Sequence, residues 1–326
     1  SDQTLFMPYL GSLTLTSSFN VGATINSMRA SYDNEFIATG RTVGTGQELR
    51  IFSVDETAFT LTSTYAAGLA DTVNSVAWHP SSYYLAVGMD STSGVDIYLW
   101  NPSNWTLSLT HSFTFAQNVT AVAFSPDGDY LAIAGGTATS DFAVRRFGNG
   151  MIGGTASPVT IPGSGPTVSN NAISWKSTSD YVVIGITTGN TTSNKVQVYS
   201  FNPSTLALTT DSGYGSAVGS SATDCTEVSW RPDEAEIAAG FNGTLSVTQR
   251  ARVFRHAPGT LIELTNSYVD ETTTVQSMRW GPQGDLLAVG LTTGACAIYA
   301  YLENGGSLVR LASVDPGTQV NAIGWS

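Results

Sequence analysis

The stretch VTAVAFSPDGDYLAIAG, residues 119–135, holds the pattern on which the fold turns. Its first six residues alternate in the manner of a strand. Ser-Pro-Asp-Gly then supplies the residue types of a tight turn. A second apolar run follows and closes on small residues. The opening hexad recurs as INSMRA at 25, VNSVAW at 73, NNAISW at 170, CTEVSW at 225, VQSMRW at 275 and VNAIGW at 320, at intervals of 48, 46, 51, 55, 50 and 45 residues. Five of the seven hexads end in Trp, one in Phe124 and one in Ala30. Self-similarity at a period of 45–50 residues marks stacked or radially repeated units.

The remainder of each unit repeats as well. A small residue stands fifteen positions after the hexad begins: Gly40, Gly88, Ala134, Gly185, Gly240 and Gly290. A variable loop leads to a third strand (VDIYLW, FAVRRF, VQVYSF, CAIYAY) and then to a Thr- and Leu-rich fourth (FTLTSTY, TLSLTHSF, TLALTT, SLVRLASV). Four strands per unit and seven units predict an all-β, seven-bladed β-propeller over residues 1–326 as one domain. The Trp residues are read as packing between blades. The hexad at 320 ends the chain as an inner strand. TLFMPYL and SLTLTSSF near the N-terminus align with third and fourth strands, so both termini are expected to close blade seven. That blade then has three strands, or something else fills the slot of its second.

The stretch 119–135 resembles the WD-repeat family, and the likeness extends over nearly the whole chain. The resemblance implies a propeller that holds protein partners. No unit has the Trp-Asp dipeptide after its third strand or the Gly-His pair before its first. The Asp–His–Ser/Thr–Trp network of many family blades is therefore not carried over. VQVYSFNPSTLAL, residues 196–208, looks like the lactonase propellers, which implies hydrolysis of sugar-acid lactones. The uncharged Ser/Thr/Gly loops are similar to those of propellers in phage tail and virion proteins, which implies a structural role in a particle.

Charge narrows these readings. Thirteen basic against 25 acidic residues give a formal net charge of −12, and Lys176 and Lys195 are the two lysines. A nucleic-acid backbone needs a basic footprint, so no nucleic-acid partner is expected. An anionic membrane surface is disfavoured on the same ground, and no apolar run reaches the ~20 residues of a membrane-spanning helix. The N-terminal SDQTLFMPYL lacks the basic start and apolar stretch of a signal peptide, which predicts synthesis in the cytoplasm without one, with a virion as the destination the phage likeness implies.

Catalytic motifs are scarce. His79, His111 and His256 show no metal-ligand spacing, and Cys225 and Cys296 read as two buried free thiols without partners for zinc. No phosphate loop or G-x-S-x-G elbow occurs, and no cofactor or metal is expected. Asp127-Gly128-Asp129 reads as turn chemistry, and Asp233, Glu234 and Glu236 as a solvated face. The loops after the second strands, built of Gly, Thr, Ser and Asn, suit surface contact or a glycan better than bond breaking.

Two features point to partners. Arg29 and Arg279 stand where the other hexads have Ala, Ser or Gly, on the blades that flank blade seven. Each either pairs with a nearby carboxylate or lines a seam that accepts a partner's strand. The outer strands SLTLTSSF, with Leu13 and Leu15, and TLSLTHSF, with Leu107 and Leu109, carry none of the charges that usually guard a sheet edge. The expectation is a non-enzymatic interaction scaffold, a structural component of a larger assembly such as a phage virion, whose partners are other protein subunits. A glycan-binding propeller and a lactonase-like hydrolase are the alternatives.

Overall fold

Six of the seven hexads become the innermost strands of separate four-stranded antiparallel sheets. The structure is a computed structural model that describes residues 24–325, except 45, 56–59, 91–93, 115–117, 136–141, 154–166, 188–193, 215–223, 233–234, 243–248, 271–272, 304–305 and 316–319. Blade one holds β1–β4 (Ile25–Ala30, Phe36–Arg41, Leu49–Asp55, Thr60–Ala67). Blade two holds β5–β8 (Val73–Trp78, Tyr84–Met89, Val95–Asn101, Thr106–Phe113). Blade three holds β9–β12 (Val119–Phe124, Tyr130–Gly135, Phe142–Gly148, Met151–Gly153), and blade four β13–β16 (Thr167–Trp175, Tyr181–Thr187, Val196–Asn202, Ala207–Tyr214). Blade five holds β17–β20 (Cys225–Trp230, Glu236–Phe241, Gln249–Ala257, Thr260–Asp270), and blade six β21–β24 (Val275–Trp280, Leu286–Leu291, Cys296–Leu302, Ser307–Val314). Within each sheet the strands pair in chain order. The chain is an all-β β-propeller.

The glycine at the fifteenth position has a packing cause. A Cβ built on Gly88 would come 2.7 Å from Val119, one on Gly185 2.8 Å from Cys225, and one on Gly240 2.6 Å from Val275. Each of those partners is the first described residue of the next blade's inner strand, or that strand's opening residue in the repeat. Blades close on one another where the second strand carries glycine, or alanine in blade three. The hexad's last residue supplies the reciprocal contact. The Trp78 indole donates to the Arg29 carbonyl (3.2 Å) and the Trp175 indole to the Ala123 carbonyl (3.1 Å). Both rings are buried, as the core reading of the Trp positions requires.

The same contacts place the C-terminal hexad. The Trp325 indole donates to the Arg279 carbonyl (3.0 Å), and a Cβ on Gly290 would come 2.6 Å from Val320. Residues 320–325 thus pack on blade six as the next inner strand would, with Gly324 close to Ala30 of blade one. The described residues form six four-stranded blades, not the seven expected. After β24 the described chain offers this one hexad and no strand to ladder with it. Residues 1–23, with Leu13 and Leu15 and both N-terminal strands assigned to blade seven, lie outside the described residues.

Several local expectations resolve here. Asp127 Oδ1 accepts from the Asp129 amide (3.1 Å) within the turn at Gly128, whose φ is +81°, so this acid serves the turn. Glu236 is corrected from a solvated position to a buried one. It is bound by Arg231 (3.4 Å) and Arg255 (2.8 Å), because the second strand of blade five begins at this residue and turns it inward. Cys225 is buried, its thiol donating to the Glu227 carbonyl (3.4 Å), whereas Cys296 is half-buried.

Candidate functional site

Side chains alternate along a strand, so the third and fifth hexad residues share one face. The fifth residues are Arg29, Ala77, Ala123, Ser174, Ser229 and Arg279, and all six line one cavity of about 270 Å³. Six blades therefore meet there, at the end of the inner strands where the turns begin. Most blades contribute small side chains, which keeps the space open. The two arginines fill part of it from opposite ends of the sequence.

Glu227, a third-position residue of blade five, lies one layer deeper and is buried. Arg279 Nη1 stands 3.1 Å from its Oε1 and donates to the Val228 carbonyl at 2.9 Å. Burial dominates the carboxyl group and lifts it to about 7, although Arg279 and Arg29 both pull it down. Arg29 donates to its own neighbour's carbonyl, that of Met28 (2.8 Å). Its guanidinium is lowered to about 9, first by burial and then by the like charge of Arg279. Tyr32, more than half exposed, stands at the rim of the same cavity.

The structure thus brings Arg29 and Arg279 together, at the axial cavity. Arg279 has the carboxylate partner that one reading required. Arg29 has none within 4 Å among the described residues. Sequence comparison of the fifth positions found the arginines and passed over Glu227. The signal was available, since CTEVSW alone carries an acid at the third position among the seven hexads.

The predicted edge residues lie far from this cavity, on the outer strand β8. Leu107 packs against the core around Trp100, whereas Leu109 is 54% exposed. The edge has a guard that sequence did not show. In blades one, two, four and six the pairing of third and fourth strands slips by one residue, at Ile51/Phe52, Ile97/Tyr98, Val198/Tyr199 and Ile298/Tyr299. Thr64 and Thr110, the extra residues of blades one and two, donate to the Ile51 and Ile97 carbonyls. Such bulges twist an edge strand and interrupt its template for further pairing.

Leu109 projects from the face of blade two that Tyr98, Trp100 and Leu107 share, the face turned toward blade one. Thr110 Oγ1 also lies 2.8 Å from the Gly150 carbonyl of blade three, its one proton shared between the two carbonyls, which brings β8 beside β12 and its Met151, 55% exposed. Leu99, which projects from the opposite face of blade two, and Trp105 are exposed as well. Trp105 has a φ of +59°, a conformation that bulky residues rarely adopt. The matching turn of blade four holds Leu206 at +58°, and there the side chain is buried at 8% exposure, against 43% for Trp105.

Among the described residues no group of three or more His, Cys, Asp or Glu could hold a metal ion. The family model described as "WD domain, G-beta repeat" matches residues 59–93 and 107–145. No curated protein matches the chain in sequence. Among solved structures, the chain is similar to a periplasmic gluconolactonase of Pseudomonas aeruginosa, with TM-score 0.70, 17% identity, and 90% of this chain and 86% of that one covered. It is also similar to a β-propeller domain from Myceliophteria thermophila, with TM-score 0.64, 14% identity and coverage of 92% and 90%. A chain of a mitotic checkpoint complex gives TM-score 0.64, 16% identity and coverage of 93% and 81%. At these identities the likenesses show the fold alone.

Proposed function

We propose that this propeller, which carries WD repeats, is a non-enzymatic protein-interaction scaffold and a structural subunit of a larger particle, such as a phage virion. The observation that carries this reading is the rim of blades two and three. Trp105 occupies a turn position whose counterpart in blade four is a core residue, yet it stays exposed, and the outer parts of blades two and three also expose Leu99, Leu109 and Met151. Exposed aromatic and apolar side chains on the outer strands and turns of neighbouring blades are features of a docking surface. The bulge at Thr110 bars simple strand addition, so partners dock on these side chains and not on the open backbone edge. The WD-repeat match and the uncharged Ser/Thr loops support protein partners and dense packing.

Neighbouring copies of the same chain are the first partners to test. Sedimentation velocity over a wide concentration range should show reversible self-association of the wild type. Leu109→Glu with Met151→Glu should remain folded, with an unchanged melting temperature, and should sediment as a monomer. A wild type that is monomeric throughout, and that binds no subunit of a native particle preparation, overturns the proposal.

A further inference from the structure

Charge at the axial cavity is one-sided. Among the described residues two guanidinium groups line it and no carboxylate does, in a chain whose net charge is −12. Glu227 below compensates Arg279. Arg29 feels Glu227 only at longer range and has no carboxylate within 4 Å among the described residues, and it faces a space bordered by hydroxyl donors. Ser174 Oγ accepts from the Trp230 amide (2.8 Å) and Ser229 Oγ from the Trp280 amide (3.2 Å). A serine that accepts still has its O–H to give. Trp78 and Trp175 have their indole N–H groups engaged with carbonyls, so they offer the cavity apolar ring surface.

We propose that the axial cavity binds an organic carboxylate, its charged end held by Arg29 and hydrogen-bonded by Ser174 and Ser229, its body against Trp78 and Trp175. A guanidinium with adjacent donors matches a carboxylate's two oxygens. The volume equals that of about nine waters at ~30 Å³ each, enough for a single ring and its acid group. Binding also relieves the crowding of Arg29 against Arg279, which adds to the larger effect of burial in lowering the Arg29 guanidinium. The site is separate from the rim of blades two and three, and neither depends on the other. The carboxylate comes from a free small acid or from an Asp or Glu side chain of a partner protein.

The test titrates the full chain with benzoate, with its neutral isostere benzamide, and with the capped tripeptide Ala-Glu-Ala, following indole fluorescence and heat. Benzoate should give a saturable change and bind at least roughly tenfold more tightly than benzamide. Arg29→Met should weaken it by about tenfold or more, and Ser229→Ala, which tests the site if Arg29→Met does not fold, by about threefold. Tighter binding of the tripeptide than of benzoate assigns the site to a protein side chain, and the reverse assigns it to a free acid. Equal affinity for benzoate and benzamide, benzoate binding unaltered in the folded variants, or no binding of either acid overturns the proposal.

Discussion

Replacing Glu227 by Gln should make the protein more stable at pH 8, although it removes the acid that faces Arg279. Burial raises the Glu227 carboxyl from its ordinary 4.5 to about 7, with the attraction of both arginines already included. Between those two values the folded chain keeps a proton that the unfolded chain has lost. Stability from this group is therefore fully present below about pH 4.5, falls as the pH rises toward 7, and stays reduced above it. At ~1.4 kcal/mol per unit, the ionised form costs about 3 kcal/mol. Gln imitates the protonated acid. The variant should thus exceed the wild type by about 3 kcal/mol at pH 8 and by about 1 kcal/mol at pH 5. For a chain of this length, with an unfolding entropy near 2.1 cal/mol/K per residue, 3 kcal/mol corresponds to about 4–5 °C in melting temperature. Calorimetric melts of both proteins at pH 5, 6, 7 and 8 read this directly. A variant that melts at or below the wild type at pH 8, beside a wild-type profile flat from pH 5 to 8, would refute the reasoning and make Glu227 a stabilising ion-pair partner.

Three further outcomes follow from the packing. Gly240→Ala should cost about 1–3 kcal/mol in urea unfolding, since its Cβ would come 2.6 Å from Val275, whereas Gly148→Ala, with nothing within 4 Å, should stay within ~1 kcal/mol of wild type. Trp325→Phe leaves the Arg279 carbonyl without its donor, at about 1 kcal/mol, and should speed amide exchange in Val275–Trp280 several-fold while Val119–Phe124 is unchanged. Burial pushes the Cys225 thiol up, so a maleimide at pH 8 should leave Cys225 unlabelled in the native chain and label it after denaturation, as read by peptide mass spectrometry.

The propeller was legible because its code is local and repeated. A hexad, a turn, a small residue fifteen positions on and an aromatic at the hexad's end each state a contact that every blade makes with the next, so seven imperfect copies reinforce one another. Gly88 and Trp78 announce inter-blade packing from the sequence alone, and the structure supplies only the partner atoms, Val119 and the Arg29 carbonyl. The axial site was legible in part. Arg29 and Arg279 stood out against their own repeat, but what they meet follows from ring geometry, which brings hexads 250 residues apart to one axis and sets Glu227 beneath them. The rim of blades two and three was less visible still. Leu107 and Leu109 read alike, and only packing decides that one is spent on the core while the other remains exposed. The bulges beneath them leave no residue signature, because any residue can be the one that slips. The sequence by itself determined the repeating unit, its strand order and its small and aromatic contact points, since those depend on neighbours a few residues or one period away. Tertiary structure decided how many units complete a four-stranded sheet, which acid compensates which arginine, and which apolar side chains remain on the surface, because those depend on how the ring closes.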